Sequence, residues 1–257
     1  MTIRQILAAG AFAAAMVPLA AQADLSISYF TIATNDQDAN NMTGGSFNNY
    51  VLNTLGPNGL PIYNTALGLA SPPKDLVPGT GEITWWSPAL NTGGPGGTST
   101  VTLTSTTTTT LPFNVPFNFF PPNGTGGGNG NGFQAAKIFG TLNAPTLSTI
   151  AFSIAADDMA FAYLDGQKVC DLGGIHPYSA GTCVTPFDIA AGDHLLEVFF
   201  VDLNFSQSGF LFGIQTTGIT TNPNPPGTTG VPEPLTLSLF GAGLAGAVAM
   251  RRRKVAT

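Results

Sequence analysis

Asp157-Asp158-Met159-Ala160-Phe161-Ala162-Tyr163-Leu164-Asp165-Gly166-Gln167-Lys168-Val169-Cys170-Asp171-Leu172-Gly173-Gly174-Ile175-His176 is the stretch from which the fold can be read. Asp165-Gly166 is the strongest hairpin signal in the chain, because a two-residue turn needs positive φ at both central positions and Asp-Gly tolerates it. Met159–Leu164 enters that turn as an apolar strand, and Lys168-Val169-Cys170 returns from it. The same rhythm recurs on both sides. Leu25–Ile32 and residues 149–154 alternate apolar with polar, the period of a half-buried strand, while 193–201 and 208–216 read as buried strands.

Composition agrees with a sheet protein. Charged residues make up only 9% of the chain, and Gly (32), Pro (20) and Phe (18) are abundant. Helix formers such as Glu, Lys and Arg are scarce, so strands joined by turns, an all-β domain over 24–221, are expected. Residues 35–49 read as loop, Pro57-Asn58-Gly59 as a turn and 82–86 as a short strand carrying Trp85 and Trp86. The low-complexity stretches 92–110 and 122–132 read as loops. Within the first, a Thr-rich edge strand is the alternative to disorder. Both tryptophans could be sandwich core or could stack on sugar rings.

The two ends address the chain. Arg4, an apolar run over 6–21 and Ala21-Gln22-Ala23 form a signal peptide over 1–23, with cleavage leaving Asp24 first. Near the other end, after a Pro/Gly linker at 222–230, come Val231-Pro232-Glu233-Pro234, an uncharged segment 235–250 and the cluster Arg251, Arg252, Arg253, Lys254. As a transmembrane helix, 235–250 spans ~24 Å, short of a ~30 Å hydrocarbon core unless the basic side chains snorkel. The basic cluster stays cytoplasmic, which places the preceding chain outside. Gly241-Ala242-Gly243-Leu244-Ala245-Gly246 has the spacing of a dinucleotide-binding loop but not its context, since no following acidic residue exists.

Between the two ends, three lysines and no arginine stand against thirteen carboxylates. Nucleic-acid binding needs clustered cations, so it is excluded, and the surface suits cations and neutral sugars. Cys170 and Cys183 are the two cysteines of an exported chain. Their even count, short spacing and oxidising compartment favour a disulfide. No nucleophile-elbow signature surrounds a serine, and no carboxylate pair stands out as hydrolytic, so no catalytic residues are assigned. Zinc is not expected from two histidines, His176 and His194.

Two resemblances follow from these residues. The Pro-Glu-Pro motif, short apolar segment and Arg cluster over 231–254 resemble the PEP-CTERM sorting signal. This resemblance implies processing by an exosortase near Pro232-Glu233-Pro234, a transient inner-membrane anchor, and cargo of Gram-negative cells that make exopolysaccharide and biofilm. The acidic pair Asp157-Asp158, the strand ending in Asp165-Gly166 and Asp171-Leu172-Gly173-Gly174-Ile175-His176 resemble the fibro-slime domain, a relative of the PA14 β-sandwich, which is jelly-roll-like. Looser matches extend over most of 25–217.

The acidic pair carries the candidate chemistry. Two adjacent carboxylates cannot both be buried as anions without a cation. In sugar-binding PA14-like adhesins, the resemblance implies, such a pair with a cis peptide holds Ca2+ that grips sugar hydroxyls. Asp157 and Asp158 are the matching positions; Asp202 and Asn204 are added as Ca2+ ligands by residue type alone. The competing reading is a solvated acidic turn or strand cap. The expected function is therefore a non-catalytic surface or matrix protein, a Ca-dependent carbohydrate-binding module. The alternatives are a purely structural matrix protein and a polysaccharide hydrolase.

Overall fold

The computed structural model describes residues 25–109, 133–184, 186–204, 208–215 and 219–222. The expected signal segment 1–23, the loop 122–132, residues 223–230 of the linker and the segment 231–254, on which the expected membrane helix 235–250 falls, lie outside the described residues. The strands are β1 (Leu25–Ile32), β2 (Val51–Leu55), β3 (Pro61–Tyr63), β4 (Val101–Thr109), β5 (Phe133–Ala144), β6 (Ser148–Asp157) and β7 (Met159–Leu164). They continue with β8 (Gln167–Leu172), β9 (Ser179–Ala180), β10 (Thr182–Cys183), β11 (Phe187–Ile189), β12 (Gly192–Asp202), β13 (Gly209–Gln215) and β14 (Thr220–Asn222). Only two single-turn 3-10 helices accompany them among the described residues.

The strands form two sheets. The larger runs β3-β2-β8-β7-β12-β5-β1-β4, with β10 added on β8 and β14 on β5; the smaller runs β11-β6-β13, with β9 on β6. Every pairing between these strands is antiparallel. Asp165 (φ 51°) and Gly166 (φ 72°) both take positive φ, as the tight turn between β7 and β8 requires.

All six residues of β7 are buried. Alternation sorts them between two cores. Ala160, Ala162 and Leu164 point into a core shared with Ile150, Ile154, Phe210 and Phe212 of the smaller sheet. Met159, Phe161 and Tyr163 point the other way, into a second core. That second face is roofed by the irregular segment between β1 and β4, which contributes Tyr50, Leu60, Ile83, Trp85 and Trp86. The Phe161 ring stacks on Tyr50 (centroids 5.9 Å, 11° between planes) and meets Trp86 edge-on at 6.4 Å.

One local expectation changes and two open alternatives are decided. Trp85 and Trp86 are 0% and 4% exposed, so neither can stack on a sugar. Their indole N–H groups donate to Asp38 Oδ2 (3.0 Å) and to the Phe200 carbonyl (2.8 Å). Residues 82–86 do not form a continuous strand: only isolated bridges exist there, Glu82 to Ile62 and Ile83 to Leu76, the second closed by Thr84 N–H to the Asp75 carbonyl (3.0 Å) and Val77 N–H to the Glu82 carbonyl (2.8 Å). The tract 92–110 is not wholly loop, since Val101–Thr109 is β4, the edge strand beside β1. β-Branched threonines fit a pleated, half-exposed surface, and hydroxyl pairs such as Ser28–Thr106 (3.3 Å) and Thr31–Thr104 (3.1 Å) tie the two strands.

Cys170 and Cys183 form a disulfide that joins β8 to β10. Closing a loop of this length restricts the unfolded chain by roughly 3 kcal/mol, so reduction should lower the urea unfolding free energy by about that much. Phe161→Ala should cost about 3–5 kcal/mol, because it empties the centre of the aromatic stack. A loss under about 1 kcal/mol would mean that the roof does not seal this face.

Candidate functional site

Strand pairing brings the acidic pair together with a third carboxylate. Val201 of β12 pairs with Met159 of β7. The residue preceding β7, Asp158, therefore lies beside Asp202, the last residue of β12. Gly209, at the start of β13, pairs with Asp157. The peptide between Asp157 and Asp158 is cis. All three carboxylates are buried, Asp158 and Asp202 completely.

Backbone amides receive these groups. Asp158 Oδ1 accepts from His176 N (3.3 Å) and Oδ2 from Leu203 N (2.9 Å). Asp202 Oδ1 accepts from Asn204 N at 3.1 Å, a turn that closes the end of β12. The Asp158 carboxyl also hydrogen-bonds to both Asp157 and Asp202. Neither Asp157 nor Asp158 has a lysine or arginine at ion-pair distance among the described residues. Burial pushes the Asp158 carboxyl up to about 7, against the Leu203 amide and with the help of the Asp157 charge. Asp157 is also raised, again chiefly by burial, with His176 opposing. His176 Nδ1 donates to the Pro177 carbonyl (2.8 Å), and its buried Nε2 has no hydrogen-bond partner.

A second acidic cluster lies in the segment that reads as plain loop in the sequence. One carboxylate oxygen from each of Asp36, Asp38 and Asp75 lies within 4.8 Å of the others, and all three residues are buried. Asp38 accepts from Lys74 N (2.8 Å), Asp75 N (3.1 Å) and Trp85 Nε1 (3.0 Å). Asp75 accepts from Gln37 Nε2 and from Asn91 Nδ2 (3.1 Å). Asp36 Oδ1 accepts from Asp38 N (2.8 Å) and its Oδ2 from Thr100 Oγ1. Burial, then a shared hydrogen bond with Asp36, lifts Asp75 to about 7. An Asp-x-Asp spacing at 36–38 was the visible signal; Asp75 joins only through the fold. These residues could hold a metal ion.

Other expected positions are structural. Asp171 accepts from Tyr50 N (3.1 Å), Val51 N (3.4 Å) and Lys168 Nζ (2.6 Å). A Cβ on Gly173 would collide with the Tyr50 ring, and Gly174 takes φ 92°. Leu203 ties the acidic pair to the loop that carries Asp36 and Asp38: its N–H donates to Asp158 and its carbonyl accepts from Asn40 N (2.8 Å).

Residues 230–254 match the PEP-CTERM protein-sorting motif, which marks the chain as an exported surface protein. No curated protein sequence matches the chain. Among solved structures, it is similar to a PA14 sugar-binding domain from an RTX adhesin, with 20% identity over 35% of this chain and 53% of that one and a TM-score of 0.29. It is similar to the PA14 domain of the antifreeze protein MpAFP, with 15% identity over 35% and 52% and a TM-score of 0.31. A third likeness, to a beta-glucosidase from Kluyveromyces marxianus, has 16% identity and a TM-score of 0.31, and covers 44% of this chain but only 14% of the enzyme. The chain thus spans about half the length of the two PA14 structures. Likenesses this loose do not assign a function.

The raised carboxyls fix the sign of a pH effect. With divalent ions chelated, the native state keeps protons on Asp75 and Asp158 up to about pH 7, whereas the unfolded chain releases them near pH 4. Stability then falls as pH rises between those values, since the native state binds the extra protons. The urea midpoint in EDTA should be higher at pH 5 than at pH 8. A midpoint that is flat or rises with pH would show that these carboxyls stay ionised.

Proposed function

We propose that this exported chain is a non-catalytic carbohydrate-binding or adhesion module of the cell surface or exopolysaccharide matrix, in which Asp157, Asp158, Asp202 and Asn204 hold Ca2+. The observation that carries the reading is the burial of two consecutive carboxylates with no lysine or arginine at ion-pair distance among the described residues. Ionised and buried, they would cost several kcal/mol each without a compensating charge.

The donor set fits a hard cation. Ca2+ takes six to eight oxygens from carboxylates, carbonyls and amides. Each Asp158 oxygen accepts one backbone N–H, and its remaining capacity, shared with the Asp157 and Asp202 carboxyls, is what a bound ion would take over. Those amides fix the carboxylate's orientation, and the turn from Asp202 to Asn204 holds the neighbouring carboxylate beside it. When bound, the ion supplies open coordination positions that vicinal sugar hydroxyls can fill. The resemblance of this stretch to PA14-like domains supports the same assignment. Exosortase processing near Pro232-Glu233-Pro234 would then release the module from a transient inner-membrane anchor into the matrix of a Gram-negative cell.

Titration calorimetry with CaCl2 tests the reading. Wild-type protein should give a saturable heat, and Asp157→Ala/Asp158→Ala should abolish it. Ca2+ displaces the proton from Asp158, so the Tm gain on adding Ca2+ should be larger at pH 8 than at pH 5. No heat at millimolar Ca2+, or an unchanged heat in the double variant, would leave a structural matrix protein in its place.

A further inference from the structure

A cavity of about 360 Å3 opens beside the Cys170–Cys183 disulfide, and none of the four proposed calcium ligands lines it. Its two charged residues, Lys168 and Asp171, are spent on one another and on the fold. Lys168 Nζ donates to Asp171 Oδ2 (2.6 Å), to the Val51 carbonyl (2.7 Å) and to Asn49 Oδ1 (3.4 Å), which uses all three of its protons. Asp171 accepts in addition from Tyr50 N and Val51 N. The side chains of this pair are 8% and 6% exposed. The cavity therefore offers neither a free cation for an anionic ligand nor a free carboxylate for a metal.

What remains unused is neutral. The Asn53 amide, the Asn48 Nδ2 and the Asn49 Nδ2 have no hydrogen-bond partner among the described residues, while Asn48 Oδ1 accepts from Thr182 Oγ1 at 3.0 Å. An amide is donor and acceptor at once, which suits adjacent hydroxyls that must both give and take. The half-buried Cys183 end of the disulfide, with Val184 at 49% exposure, supplies an apolar wall against which the C–H face of a ring can pack. The volume is near the lower end for small-molecule sites, so it admits about one or two sugar rings.

We infer that this cavity is a second, calcium-independent subsite for a neutral saccharide, built from the amides of Asn48, Asn49 and Asn53 against the Cys170–Cys183 wall. The inference takes its ligand class from the carbohydrate reading above but not its dependence on Ca2+.

The test is a panel of neutral gluco-, galacto-, manno- and xylo-oligosaccharides, with polygalacturonate as the charged comparison, titrated into the purified protein in EDTA. At least one neutral oligosaccharide should bind. Its affinity should fall tenfold or more in Asn48→Leu/Asn53→Leu and stay unchanged in Asp157→Ala/Asp158→Ala. Both asparagines are exposed, so the urea midpoint of the Leu variant should match wild type and separate lost binding from lost folding. Binding that requires Ca2+ and responds only to the Asp variant overturns the subsite and leaves the calcium reading standing. Binding in EDTA that responds to the Asn variant, with no calcium heat, does the reverse. Binding of polygalacturonate alone, or of nothing in the panel, overturns the subsite.

Discussion

Strands β7 and β12 are covered on both faces, and most of the molecule answers to that constraint. The smaller sheet closes one side with Phe210, Phe212 and Ile154. Among the described residues no second sheet closes the other. An irregular segment does so with Tyr50, Trp85 and Trp86. A roof whose regular structure is limited to two short strands and two single-turn 3-10 helices leaves many backbone amides and carbonyls to be satisfied individually. Buried acceptors do much of this: Asp38 takes two main-chain N–H groups and an indole, and Asn91 Oδ1 takes the amides of Gly93 (3.3 Å) and Thr100 (2.8 Å). The acidic cluster in the roof is thus a consequence of sealing a hydrophobic face with loop.

The acidic pair arises differently. It sits where β6 hands over to β7, next to the end of β12, and amides from two further loops converge on it. Both clusters concentrate negative charge in a protein that has only three lysines between its ends. Two of those lysines are committed elsewhere, Lys137 to Glu197 (2.8 Å) and Lys168 to Asp171. Neutralisation of the clusters therefore falls to protons or to ions from solution. Leu203 joins the acidic pair to the loop after Asp38 through its main chain, so ordering one loop restrains the other.

The legible parts of this fold were local. Asp165-Gly166 announces its turn by the φ angles it tolerates, and the alternation in 25–32 and 149–154 announces the faces of β1 and β6. The acidic pair was visible because two carboxylates are adjacent in the chain. Asp75 was not, because only the loop packing carries it to Asp36 and Asp38. The tryptophans were ambiguous for a physical reason: an indole serves a core or a sugar equally well, and only the partners Asp38 and Phe200 decide between them. The threonines of 101–109 were ambiguous because low complexity hides a strand whose register is set by β1 rather than by its own pattern.

One strand, β5, relates the acidic pair to the way the chain leaves the domain. Near its start Gln134 pairs with Asp202, and near its end Thr141 pairs with Asn222 of β14, after which the chain runs toward the sorting motif. Seven steps along an antiparallel strand separate the two positions, about 24 Å. The carboxylates thus lie toward the opposite end of β5 from Asn222, the last described residue. Any attachment made through the residues after Asn222 would therefore leave the acidic end of the sheet unobstructed.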